Sequence, residues 1–290
     1  MLSHEINAKF RSRLAGGGAV LMPGAANALA AKIIADLGFE AVYLSGAGLT
    51  NTYLGMPDLG FVGLAELVQH TSTIRDATDL PIVVDADTGF GNALNVRHTI
   101  RSLERAGASA IQIEDQVSPK RCGHFSGKDV VALDEARSRI KAAADARQDP
   151  NLLIVARTDA RTVAGIDAAI ERAQAFIEDG ADITFVEAPE NLEEIRAIPA
   201  RLSGTPQLIN LVVGGKTPIV DLGELDAMGF SLVLYANVAL QGAICGMQAA
   251  LGQLKADGRM GEDGPVASFR ERQRLVGKPE FDALEKRYAL

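Results

Sequence analysis

The chain has 290 residues, with 37 Asp and Glu against 29 Lys and Arg and a formal charge of −8. No basic block offers a footing for nucleic acid, no apolar run reaches membrane-spanning length, and the N-terminus lacks a charged-then-apolar leader. A hydrophobic content of 47% suffices for the core of one large α/β domain, so a cytoplasmic protein acting on small molecules is expected.

In chain order, short apolar or β-branched runs fall at 19–22, 41–44, 82–84, 110–113, 152–155, 183–186, 207–211 and 231–234, with amphipathic stretches between most neighbours. Val96, Ile100 and Leu103 recur at helical spacing before Gly107 stops the segment, and Ile166, Ile170, Ala173 and Ile177 form a second stripe ended by Gly180. The spacing predicts eight strand-then-helix repeats. Polar residues follow nearly every strand: Ser45, Asp85 and Asp87, Glu114 and Asp115, Arg157 and Asp159, Glu187, Asn210. A closed (β/α)8 barrel gathers them on one face, whereas an open doubly wound sheet strings them along a line, so the barrel is expected.

A single barrel domain over residues 1–290 is expected, with 257–290 as a C-terminal helical extension. Gly258, Gly261, Gly264 and Pro265 break the chain there, and a charged helical stretch follows. It packs on a neighbouring subunit or on its own barrel; the pattern leaves both open. The two cysteines, Cys122 and Cys245, read as reduced thiols. Cys245, between Ile244 and Gly246 in an apolar helix, reads as core. His4, His70 and His98 read as surface groups.

Asp85-Ala86-Asp87 comes directly after the run Pro81-Ile82-Val83-Val84. Alternate residues of a strand face one side, so both carboxylates can address one spot, and Glu114 ends the next strand. Such an oxygen-rich cluster suits Mg2+ or Mn2+. Lys120-Arg121-Cys122-Gly123-His124 lies outside any periodic segment. Its thiol stands among three potential cations, which lowers a thiol's pKa and suits it to proton transfer or attack on carbon. No partner ligands stand at zinc spacing around it. Arg157 offers a fork for a carboxylate, the alternative being an ion pair with an acid such as Glu187. Gly214-Gly215-Lys216 follows the seventh run, where barrels often bind anions.

These motifs together resemble the isocitrate lyase and phosphoenolpyruvate mutase superfamily. The resemblance spans about residues 10 to 255 and rests on Tyr43-Leu44-Ser45-Gly46, Gly55-Met56-Pro57-Asp58, Val84 to Gly91, Ile113 to Gln116, Lys120 to His124 and Ala156 to Ala160. It implies a Mg2+-dependent barrel, tetrameric, with helix exchange between subunits. It implies that Asp85 ligates the metal while Asp58, Asp87 and Glu114 hold its waters. Ser45, Gly46 and Ala47 would receive the substrate carboxylate, and Lys120, Cys122, Gly123, His124, Arg157, Glu187 and Asn210 would complete the pocket. The loop at Cys122 resembles the carbon–carbon lyases that cleave 2-methylisocitrate or 2-alkylmalates. Hydrolysis or decarboxylation of oxaloacetate, phosphonate chemistry, and a non-catalytic barrel that binds keto acids are the rival readings. The segment Tyr235-Ala236-Asn237 departs from the proline-containing form common in the family.

Overall fold

The computed structural model describes residues 1–120 and 127–289. Helix α1 (Ser3–Ala15) precedes β1 (Val20–Ala25), α2 (Ala28–Asp36), β2 (Val42–Leu44), α3 (Gly46–Leu54), α4 (Leu64–Ala77), β3 (Ile82–Asp85), α5 (Ala93–Arg105) and β4 (Ala110–Glu114). Then come α6 (Leu133–Ala146), β5 (Leu153–Thr158), α7 (Ala160–Ala164), α8 (Ile166–Glu178), β6 (Ile183–Val186), α9 (Leu192–Arg201), β7 (Gln207–Asn210), α10 (Leu222–Met228) and β8 (Leu232–Tyr235). The C-terminal part holds α11 (Val238–Asp257), α12 (Phe269–Leu275) and α13 (Lys278–Tyr288). Each strand pairs in parallel with the next, and β8 returns to β1, closing the expected barrel.

Strand alternation sorts the side chains into layers. On β3, Ile82 and Val84 join a cluster shared with α2, α4, α5 and α6, while Val83 joins the barrel interior with Val20, Met22, Ala110, Val155 and Leu208. From one end α1 inserts Phe10 and Leu14 into that interior. Arg11 holds it there through Asp182 at 2.9 Å, and Asn7 through Asp149 at 2.9 Å. Side chains thus fill the lower barrel interior, as close packing requires; a cleft of about 430 Å3 lies beside α1 at that end, and a separate space opens at the carboxyl ends of the strands. There the β1–β8 seam is tight enough that a Cβ on Gly24 would lie 1.9 Å from the Ala236 carbonyl oxygen, so no larger residue fits.

All eight expected strands are present, with ends displaced by up to three residues. The fifth runs on through Arg157 and Thr158. The two stripes named from sequence are α5 and α8, each followed by a glycine at positive φ, Gly107 and Gly180.

The reading of Cys245 as core is corrected: it is an exposed free thiol. Its helix α11 is apolar, but none of its residues is buried, and Ile244, Met247, Leu251 and Leu254 are open to solvent on the single chain. An apolar sequence records what a helix requires against it, not that its own chain supplies it. Beyond α11, Arg274 of α12 grips Asp36 of α2 at 2.7 and 2.6 Å, so this part of the extension touches its own barrel. Among the described residues, no helix is long and apolar enough to cross a membrane.

Candidate active site

A cavity of about 420 Å3 opens at the carboxyl ends of the strands, lined by Ser45, Ala47, Asp58, Asp85, Lys120, Arg157, Glu187 and Asn210 from the residues singled out by sequence. Ser45 caps α3 by accepting a hydrogen bond from the Gly48 amide at 3.2 Å. That aims the start of α3 at the acids, where the Gly46 amide meets Asp85 Oδ2 at 3.4 Å. A Cβ on Gly46 would lie 3.1 Å from Asp87 Oδ1 and 3.5 Å from Asp85 Oδ2, so glycine is what admits this close approach.

Asp85 and Asp87 do address one spot, by a different route from strand alternation. Strand β3 ends at Asp85, and Asp87 sits beyond it at φ 49, in the left-handed region. That conformation is uncommon outside glycine and better tolerated by Asp than by most residues. It turns the carboxylate back onto Lys120 Nζ at 2.9 Å, and Lys120 also meets Asp58 Oδ2 at 2.8 Å. Burial would strip Lys120 of its proton, but Asp87, Asp85, Glu114 and Asp58 outweigh it and hold the ammonium well above its ordinary range.

Arg157 takes the ion-pair alternative and still reaches the cavity wall. Its fork is bidentate to Asp159, at 2.9 and 3.1 Å. The same guanidinium lies 3.5 Å from Glu114 and 3.9 Å from Glu187, over the Phe185 ring, and on the cavity wall. Burial opposes ionisation of Asp159, yet Arg157 and Lys128 hold it down at about 2. Burial raises Glu114 well above its ordinary range despite Arg157.

Glu114 and Asp115, adjacent in sequence, part company. Glu114 faces the interior, while Asp115 turns outward to Thr158 at 2.7 Å, the Asp159 amide at 2.9 Å and Arg172 at 2.8 Å. It ties β4 to β5 and α8. Sequence reasoning missed Tyr43 and Gln112. The Tyr43 hydroxyl donates to Gln112 Oε1 at 2.7 Å, and Gln112 Nε2 donates to Asp85 Oδ1 at 3.0 Å. Their signal was present: Tyr43 precedes Ser45 by two, and Gln112 precedes Glu114 by two, so each shares its partner's face. Cys122, Gly123 and His124 lie outside the described residues.

The donor set fits a hard cation. Among the described residues, acids outnumber the buried cations at this mouth, Asp85 accepts only from neutral amides, and Glu114 Oε1 is buried without a hydrogen-bond partner. Among the described residues, no three His, Cys, Asp or Glu side chains converge as a ready-made cage, because the Lys120 ammonium stands between Asp58 and Asp87. Mg2+ suits such a site, since it takes one or two carboxylates and keeps several waters.

In the absence of divalent cation, Asp87 is expected to make stability fall as pH rises. Burial, helped by Asp85 and Asp58, pushes Asp87 from its ordinary 3.8 up to about 7 against the pull of Lys120. Between those values the folded chain holds a proton that the unfolded chain has released. This contribution is therefore complete below 3.8 and is lost as pH rises through 7. Thermal melts without divalent cation should show the melting temperature dropping from pH 5 to pH 8, and Asp87→Asn should flatten the drop. An equal slope in wild type and variant would refute this assignment.

A closed parallel barrel whose carboxyl-end cavity gathers acids, a buried ammonium and a guanidinium is the architecture of a barrel enzyme for small anionic substrates. The family model described as phosphoenolpyruvate phosphomutase matches residues 10–255. The chain is 42% identical over 283 residues to a 2,3-dimethylmalate lyase of Eubacterium barkeri, covering 97% of this chain and 98% of that one. It is 45% identical over 239 residues to a 2-methylisocitrate lyase of Aeropyrum pernix, covering 82% and 76%. A crystal structure of 2,3-dimethylmalate lyase, described as a PEP mutase/isocitrate lyase superfamily member, superposes with a TM-score of 0.92 at 32% identity over 99% of this chain and 96% of that one. The chain belongs to the phosphoenolpyruvate mutase/isocitrate lyase superfamily, in its carbon–carbon lyase branch.

Proposed function

We propose that this enzyme cleaves the C2–C3 bond of a 2-hydroxy dicarboxylate or tricarboxylate. A 2-alkylmalate such as 2,3-dimethylmalate is the first choice and 2-methylisocitrate the second, each giving an α-keto acid and a carboxylic acid. The supporting observation is the composition of the cavity. Asp58, Asp85 and Arg157 share the lining with the apolar Val212, Leu234 and Ala236, and the exposed Lys216 borders the same space. Such a lining accepts an alkyl group while the charged groups receive carboxylates.

Asp85 would hold the Mg2+, or Mn2+ in its place, with Asp58, Asp87 and Glu114 holding its waters. A cation held there would supply the positive charge that makes the substrate hydroxyl more acidic. The start of α3 at Ser45, Gly46 and Ala47 receives the C1 carboxylate through backbone amides. A base takes the hydroxyl proton, and C2 becomes a ketone as the C2–C3 pair moves to C3, where it delocalises into the C4 carboxylate as an enediolate. Arg157 and His124 stabilise that charge, Glu187 and Asn210 orient the substrate, and Cys122 returns a proton to C3. Tyr43 is unsuited as the base, because burial and Asp85 raise its hydroxyl well above 10. The roles of Cys122, Gly123 and His124 rest on the sequence alone. The working form is proposed to be a homotetramer in the cytoplasm.

The test is product identification by mass spectrometry after incubation with Mg2+ and 2,3-dimethylmalate, 2-methylisocitrate, oxaloacetate or phosphonopyruvate. Pyruvate with propionate, or pyruvate with succinate, is expected, and Cys122→Ser should lose that turnover. Oxalate with acetate, or released phosphate, would overturn the substrate class. Binding without any product would overturn catalysis.

A further inference from the structure

Gln112 is a polar side chain at a depth where its neighbours are apolar. It is fully buried on β4, pairs in register with Asp85, and shares its side of the strand with Ala110 of the interior cluster. A buried amide is tolerated when both its ends are bonded. Here Oε1 receives the Tyr43 hydroxyl and Nε2 reaches Asp85 Oδ1. The orientation is dictated by charge, because an ionised carboxylate only accepts and so requires the amide nitrogen, which leaves the amide oxygen for the phenol.

The consequence falls on the two oxygens of Asp85. Oδ1 accepts from Gln112 Nε2 at 3.0 Å and from the Asp87 amide at 3.2 Å, so it is occupied twice. Among the described residues, Oδ2 has only the long contact of 3.4 Å from the Gly46 amide. We propose that Gln112, braced by Tyr43, is a positioning residue that reserves Asp85 Oδ2 for the divalent cation and prevents the carboxylate from chelating it with both oxygens. Two-oxygen chelation by a carboxylate is a habit of the larger Ca2+, whereas Mg2+ keeps a compact octahedral shell. The Tyr43–Gln112 pair therefore sets the preference for the small cation. This rests on the metal reading given above.

The experiment is calorimetric titration of the metal-free, full-length protein with Mg2+ and, separately, Ca2+, for wild type, Gln112→Met and Tyr43→Phe. Gln112→Met should weaken Mg2+ binding by about 10- to 100-fold, the usual effect of losing an outer partner of a metal ligand, while Ca2+ affinity stays level or rises. Tyr43→Phe, which removes one oxygen and little else, should shift the same ratio in the same direction by a smaller factor, and it decides the matter if Gln112→Met does not fold. A Mg2+ to Ca2+ ratio unchanged from wild type, in protein that binds both, would overturn the clamp alone. Wild-type protein that takes up neither cation would overturn the metal reading and the clamp with it.

Discussion

Asp85→Asn is expected to reduce kcat by at least about a thousandfold while leaving the fold intact and the metal-free protein no less stable. A bound cation contributes several kcal/mol to the charge developed in such reactions, and about 4 kcal/mol corresponds to that thousandfold. The substitution keeps the shape of the side chain, so Gln112 and the Asp87 amide can still find an oxygen. What disappears is one negative charge beside Asp87, whose own upward shift is partly caused by Asp85. The repulsion eases and the melting temperature at neutral pH should hold or rise. Function and stability then move in opposite directions, as they do where a site is assembled against its own electrostatics. Product assays with saturating Mg2+, calorimetric cation binding and thermal melts test all three parts. A variant retaining a tenth of wild-type turnover would remove Asp85 from the centre of the site. Asp115→Asn is the natural control, because that outward carboxylate holds Thr158 and Arg172 and its loss should lower stability first.

This contrast shows where sequence reading reaches and where it stops. The barrel was legible because buried parallel strands leave apolar runs of fixed length, punctuated by helix-ending glycines such as Gly107 and Gly180. The rim was legible too, since a carboxylate or guanidinium directly after such a run has few places to point. The partners of each charge were not. Glu114 and Asp115 look equivalent as letters, and only the pleat of β4 sends one inward toward Arg157 and the other to Thr158 of β5. Arg157 reads as a fork for substrate or for an acid such as Glu187, and Asp159, two positions on, fills most of it. Asp87 reaches the cluster through a left-handed turn that no alternation rule anticipates. Tyr43 and Gln112 carry ordinary core and amide chemistry, so their importance emerges only from who sits opposite. Cys245 misled because apolar spacing in α11 states a need for cover without naming its source.

Arg157→Met is expected to lower stability by about 3–5 kcal/mol, the range for removing one partner of a buried ion pair. At the few degrees per kcal/mol typical of domains approaching this size, the melting temperature falls by roughly 10 °C. The reason is the company Arg157 keeps. Asp159 is fully buried and stays ionised down to about 2 because Arg157 and Lys128 overcome its desolvation. Its ordinary value is 3.8, so this contribution is complete above 3.8 and is lost as pH falls through about 2. Without the guanidinium, Lys128 is the cation left on Asp159 among the described residues, Glu114 loses a cation 3.5 Å away, and Glu187 loses one at 3.9 Å. Arg157→Lys should recover part of the stability, because the charge remains, while activity stays low, because an ammonium cannot hold Asp159 bidentately and still face the substrate. Asp159→Asn combined with Arg157→Met should be less destabilised than the sum of the single variants, since the charge left stranded is gone. A double-mutant cycle by thermal or denaturant unfolding measures that coupling. Additive losses would mean that Arg157 supports the barrel through its packing on Phe185, and that its charge is reserved for the substrate.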